Sequence, residues 1–286
     1  MSVDTLQEKI RKTKNPTALE LNLSVADLPP QFEKTANGYS SYCRGLLEEL
    51  KQYIPAVRFS FSAFALNSSL DDLKQTMSFA REQGYYVILD APELLSPSVA
   101  KQIADTLLSE DSAYPCDALV ISGYMGSDVI KPFLPYCKKG KKDIFVVART
   151  ANKSAPELQD LLSGTRLVHA VAADHVNRYG ADTAEKFGYT RVGILAAASS
   201  AESLRSLRAK YPKLFILIDG YDYPNANAKN CSFAFDKYGH GAVVCSSGGI
   251  TRAWKDTQEQ SEDLYGPAKA AAERMKKNLG RYVTIL

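Results

Sequence analysis

The sequence lacks a paired cysteine framework, a membrane span and a strong charge of either sign. Its cysteines are odd in number, Cys43, Cys116, Cys137, Cys231 and Cys245, and none is spaced Cys-x-x-Cys, so neither a disulfide scaffold nor a zinc site is indicated and reduced thiols are expected. No stretch is apolar for long enough to cross a bilayer, and Met1 to Ile10 has no apolar leader core, so a cytoplasmic protein is expected. A net charge of +3 gives no reason to expect a nucleic-acid or membrane partner, and the run Lys138-Lys139-Gly140-Lys141-Lys142 reads as a solvated helix-to-strand turn. Three histidines, His169, His175 and His240, show no metal-ligand spacing. No metal and no cofactor is expected. Linkers, low-complexity segments and repeats are absent as well.

What is there is a series of eight short apolar runs: 17–22, 57–61, 86–90, 118–122, 144–149, 192–196, 214–219 and 242–246. Near-continuous Val, Ile, Leu, Phe and Ala is the pattern of strands buried on both faces, and most of the intervening stretches carry helical periodicity. That order predicts an α/β fold, a single (β/α)₈ TIM-barrel domain over residues 1–286. Ser69 with Asp71 and Asp72 reads as a helix start, Leu70, Leu73, Met77 and Ala80 as its buried stripe, and Gly84 as its end. Ser200 and Glu202, with Leu204 and Leu207, repeat the arrangement. Segments 155–162 and 176–187 read as helical, with a leading helix over 4–12 and a closing one over 262–277. In such barrels the chemistry sits at the C-terminal ends of the strands. The tips to read are Asn22, Arg58 to Ser62, Asp90, Ser122, Arg149, Ser199, Asp219 and Ser246.

At these tips the sequence resembles the long (type 2) bacterial orotidine 5'-phosphate decarboxylases. Ser122-Gly123-Tyr124-Met125-Gly126-Ser127-Asp128 with Pro132-Phe133-Leu134 is similar to that family's Asn-Pro-Tyr-Met/Leu-Gly-x-Asp and Pro-Phe-Leu. Arg149-Thr150-Ala151-Asn152 is similar to Arg/Lys-Thr-Ser-Asn. Asn15-Pro16-Thr17, Leu158-Gln159, Val192-Gly193, Ala198-Ser199, Gly220-Tyr221 and Ser246-Ser247-Gly248-Gly249-Ile250 fit further motifs in order. The resemblance implies a lyase of pyrimidine biosynthesis that turns orotidine 5'-phosphate into UMP without metal or cofactor, through alternating Lys and Asp residues. It also implies a homodimer, because the family reaches its last catalytic Asp across a two-fold interface.

The sequence departs from the family where that chemistry is done. In place of Asp-x-Lys-x-x-Asp it reads Asp90-Ala91-Pro92-Glu93-Leu94-Leu95, so Pro92 stands at the proton-donating Lys and Leu95 at the second Asp. The preceding Lys falls on Arg58, a poor acid because guanidinium stays protonated. The sugar-contacting Asp falls on Asn22, the Gly-Ala-Gln-Gly phosphate loop reads Asp222-Tyr223-Pro224-Asn225, and the phosphate-clamping Arg falls on Gly248. Arg58 and Asp90 are therefore remnant catalytic residues. Asn22, Ser122, Arg149, Ser199, Tyr221, Ser247, Gly248 and Gly249 are the candidate binding residues for a phosphorylated small molecule.

Blander roles stand beside these. Asp90 fits a loop cap or a partner of Arg58 as well as a ligand, Arg149 fits a simple ion pair, and the aromatics fit the core. Backbone N–H groups at Gly248 and Gly249 could hold a phosphate without the Arg. Three functions follow: a weakly active or inactive paralogue that binds or assembles, an enzyme acting on another phosphorylated molecule, and the family reaction carried by other residues.

Overall fold

The computed structural model describes residues 1–140, 142–256 and 263–286. The eight apolar runs form strands β1 (Thr17–Leu21), β2 (Ala56–Ser60), β3 (Tyr86–Asp90), β4 (Ala118–Ser122), β5 (Asp143–Val147), β6 (Thr190–Ala197), β7 (Leu214–Asp219) and β8 (Ala242–Ser246). All pair in parallel and close on themselves in sequence order, β8 returning to β1. Every residue of β1, β2, β5, β6 and β8 is buried, which is why these strands carry apolar side chains towards lumen and helices alike. The single TIM-barrel domain is thus the observed fold.

Strand ends move where a local hydrogen bond decides them. β2 stops at Ser60 rather than Phe61, because the Ser60 hydroxyl accepts from the Ala63 N–H and starts the short helix Phe61–Asn67. β5 stops at Val147, and the N–H groups of Ala148 and Arg149 both turn to the Leu195 carbonyl.

The helix after β2 runs Leu70–Glu82 with Ser69 accepting from the Asp72 N–H at 3.0 Å. Leu73, Met77 and Ala80 are buried as the stripe requires, whereas Leu70 lies at the first turn and is exposed. Helices Val3–Thr13 and Ala201–Lys210 lie where expected, and the closing helix is Gly266–Gly280, its expected start at Glu262 lying outside the described residues. Lys141 of the basic run lies outside them too.

One helical expectation fails and a second is displaced towards the N-terminus. Segment 155–162 is a single 3-10 turn, Ala155–Glu157, followed by a hairpin pairing Leu162–Ser163 with Arg166–Leu167. Pro156 sits in that turn, and Gly164, at φ +65°, reverses the chain between the hairpin strands. The helix that follows, Val168–Gly180, begins eight residues before the expected Val176 and ends before Phe187. Among the described residues no helix is long and apolar enough to cross a membrane.

The N-terminal end of the barrel is closed by buried ion pairs. Asp143 accepts from Tyr86 at 2.5 Å and from Arg191 at 3.1 Å, and the Met1 ammonium meets Asp117 at 2.6 Å. The opposite end is left open.

Candidate functional site

Register brings the mouth residues together. Glu20 in β1 lies beside Arg58 in β2, and Ser60 beside Asp90, the last residue of β3. Lateral partners share a face of the sheet, so Glu20 and Arg58 both face the lumen. Arg58 Nη1 donates to Asp219 Oδ1 at 2.5 Å and lies 3.5 Å from Glu20 Oε1, while Nη2 donates to Asp90 Oδ2 at 2.7 Å. One guanidinium thus holds acids from β1, β3 and β7. The group is almost closed to water, with Arg58 5% and Glu20 7% exposed.

Burial and crowding of like charge set its protonation. Loss of water pushes the Glu20 carboxyl up to about 7, with Arg58 pulling it down and Asp219, Asp90 and Asp222 adding to the rise. Asp90 is raised by burial as well, against the pull of Arg58. Burial works against the charge on Arg58, but Asp90, Glu20 and Asp219 outweigh it and hold the guanidinium protonated well above its usual range. The Cys245 thiol, buried next to this group, is also pushed up and stays a thiol.

Across the mouth a carboxylate caps the start of the last loop. Asp222 accepts from the Ser247 N–H at 2.7 Å and from the Ser246 hydroxyl at 2.9 and 3.1 Å. Ser247 in turn donates its hydroxyl to the Asn22 carbonyl at 3.1 Å. Gly248 carries no side chain, and the Arg252 guanidinium fills the space: a β-carbon on Gly248 would lie 2.1 Å from Arg252 Nη2. Between these walls lies a cleft of about 510 Å³.

Asn22, Arg58, Asp90, Asp219, Ser247 and Gly248 line this cleft, joined by Glu20, Asp222, Cys245 and Arg252, which the strand-tip reading did not single out as site residues. Other candidates are elsewhere. Arg149 is buried in a fork on Asp160, Nε to Oδ1 at 3.0 Å and Nη2 to Oδ2 at 2.9 Å, and His169 Nδ1 joins the same carboxylate at 3.1 Å. Tyr221 does not face the mouth. Gly220, at φ +74°, turns the chain so that Tyr221 packs outward into a second cleft with Asn278 of the closing helix and Arg281 just after it.

Ser122 ends β4 and Ser199 follows β6, both half-buried at the rim and neither lining the cleft. Gly249 faces Asp222, whose Oδ1 would lie 2.3 Å from an added β-carbon. The Ser247 N–H, just before the two glycines, is already bound by that acid, so an anion at this loop would have to rely on the Gly248 and Gly249 N–H groups themselves. Pro92 opens a 3-10 turn, Pro92–Leu94, and Leu95 is 6% exposed within the single chain. Among the described residues no group of three His, Cys, Asp or Glu side chains is arranged to hold a metal ion.

No family model matches the chain. It is 28% identical over 287 residues to an orotidine 5'-phosphate decarboxylase of Clostridium perfringens, covering 98% of both chains, and 25% identical over 274 residues to that of Caldicellulosiruptor saccharolyticus, covering 88% and 90%. Among solved structures, Leishmania donovani OMP decarboxylase matches with a TM-score of 0.75 at 23% identity, covering 99% of each chain. Leishmania donovani UMP synthase matches with a TM-score of 0.79 at 23% identity, where this chain spans 56% of that longer one. The structural likeness establishes the fold, and the sequence likeness carries further. Over nearly its whole length this chain is a homologue of proteins named orotidine 5'-phosphate decarboxylase, and it has the same barrel.

Proposed function

We propose that this chain keeps a decarboxylase frame without the orotidine 5'-phosphate reaction, and that it acts as a nearly inactive paralogue holding a small polar molecule at the barrel mouth. The observation that carries this is the company of Arg58. Decarboxylation of orotidine 5'-phosphate leaves a carbanion on the pyrimidine ring, which needs a proton at once. The donor position is Pro92, and the cation that remains is a guanidinium tied to Asp219, Asp90 and Glu20 and held protonated. A missing general acid alone costs ~10²–10⁴-fold, and each lost charge stabiliser at the reacting centre on the order of 10²-fold. Members of one catalytic unit do not add independently, but all these losses point the same way.

A second reading is favoured by Glu20. A carboxyl titrating at about 7 in a cleft suits general acid–base work at neutral pH, so an enzyme acting on a different small molecule would use Glu20 with Asp90, Asp219 and Arg58. The two readings share a ligand site and differ in turnover. We further propose a cytoplasmic homodimer, for which sedimentation as a monomer at micromolar concentration is the contrary result.

The test is genetic. Expressed in a pyrimidine auxotroph lacking its decarboxylase, the chain is expected not to restore growth without uracil. Restored growth at normal expression would overturn the reading.

A further inference from the structure

Charge in the mouth cleft does not balance. Glu20, Asp90, Asp219 and Asp222 line it against Arg58 and Arg252. Arg252 is 47% exposed on its side chain and leans towards Asp27 at 3.5 Å, which leaves Arg58 to serve the inner acids. It does not satisfy them. Asp90 Oδ1 is buried with no hydrogen-bond partner, and the Glu20 side chain, 9% exposed, has Arg58 only at 3.5 Å and accepts no hydrogen bond from the described residues. An enclosed carboxylate without donors is costly, and a ligand that brings donors and positive charge relieves that cost. Although the whole chain carries +3, this cleft is lined by four acids against two arginines, and low-dielectric walls strengthen the field of charges placed there.

The same surroundings argue against the two commonest alternatives. A phosphate at the start of the last loop would lie beside the Asp222 carboxylate, which holds the Ser247 N–H at 2.7 Å and faces Gly249. A metal ion needs several ligands round one open point, and among the described residues no group of three such side chains provides it.

We infer that the cleft binds a small organic molecule through a primary ammonium group, which donates to the Glu20 carboxylate while Asp90 and Asp219 supply the surrounding negative charge. This names the ligand class for the binding role proposed above and rests on it.

The experiment is thermal melting of the full chain at neutral pH and low salt, with ethanolamine and putrescine as ammonium probes and inorganic phosphate and glucose 6-phosphate as anion probes. At concentrations well above Kd the ammonium probes are expected to raise the midpoint by about 2–4 °C and the anions to leave it unchanged. Glu20→Gln is expected to abolish the ammonium response, and Asp219→Asn to weaken it, so the result does not depend on one variant folding. A response to the anions instead, to neither kind of probe, or to ammonium undiminished in both variants overturns the inference. Decarboxylation of orotidine 5'-phosphate is read in a separate assay, so turnover there would count against the proposed loss of reaction without bearing on ammonium binding.

Discussion

Arg58→Met removes one cation and strands three acids, with side-chain exposures of 9% for Glu20, 13% for Asp90 and 18% for Asp219. Met keeps much of the volume, so the change is chiefly electrostatic. Deleting one partner of a buried ion pair costs ~3–5 kcal/mol because the other charge stays behind. With a melting shift of ~2–4 °C per kcal/mol for large domains, the midpoint should fall by roughly 6–20 °C at pH 8. At pH 5 the fall should shrink by at least half. Glu20, held up at about 7, is then protonated in the fold, and Asp90, also raised, takes up a proton more readily than an exposed aspartate. The assays are thermal melting and denaturant unfolding of parent and variant at both pH values. A loss of less than about 1 kcal/mol, or one of equal size at pH 5 and pH 8, would refute the reasoning by showing that the acids do not depend on Arg58.

Glu20→Gln should act in the opposite direction. Because the folded chain raises this carboxyl from 4.5 to about 7, the protonated form favours folding below about pH 4.5, and that advantage is lost as pH rises through 7. The variant escapes the loss, so at pH 8 it should exceed the parent by ~1–3 kcal/mol, with little difference at pH 4.5, read by denaturant unfolding. Asp160→Asn breaks the fork to Arg149, whose hydrogen bonds hold the Asp160 carboxyl below its usual range. It should cost ~1.5–3 kcal/mol at neutral pH, and the gap to the parent should close as acid protonates Asp160 in both states, visible in an acid titration of stability. Substituting Pro92→Lys and Leu95→Asp together should recover at most partial decarboxylation, because on the proposed correspondence Gly248 and Pro224 replace the family's phosphate-clamping Arg and loop Gln; full activity in a turnover assay would contradict this.

The barrel was legible because burial on both faces leaves an unmistakable mark: Tyr86-Val87-Ile88-Leu89-Asp90 and Leu214-Phe215-Ile216-Leu217-Ile218-Asp219 each end in an acid at the mouth, and both acids meet there. The insertion between β5 and β6 was not. Leu158, Leu161 and Leu162 have helical spacing, yet they are 55%, 51% and 70% exposed in turns and a hairpin. Pro156 and Gly164 were the signals against a helix. Glu20 escaped notice because attention to strand tips passes over a charge in mid-strand, although within Thr17-Ala18-Leu19-Glu20-Leu21 a carboxylate has nowhere to face but the lumen. Asp222 and Arg252 were hidden for another reason. Reading Asp222-Tyr223-Pro224-Asn225 and Gly248 as positions that had lost family residues says nothing of what fills the space. An acid and, one helical turn after Gly248, an arginine do so.

The central claim is that a frame shared with the decarboxylases stands here without their proton donor. Its most direct test is release of carbon dioxide from orotidine 5'-phosphate by the purified full chain at saturating substrate and neutral pH. The account predicts turnover at or barely above the blank, whereas a rate of ~1 s⁻¹ or faster, lost on removal of the protein by filtration, would contradict it and show that another group in the cleft protonates the ring.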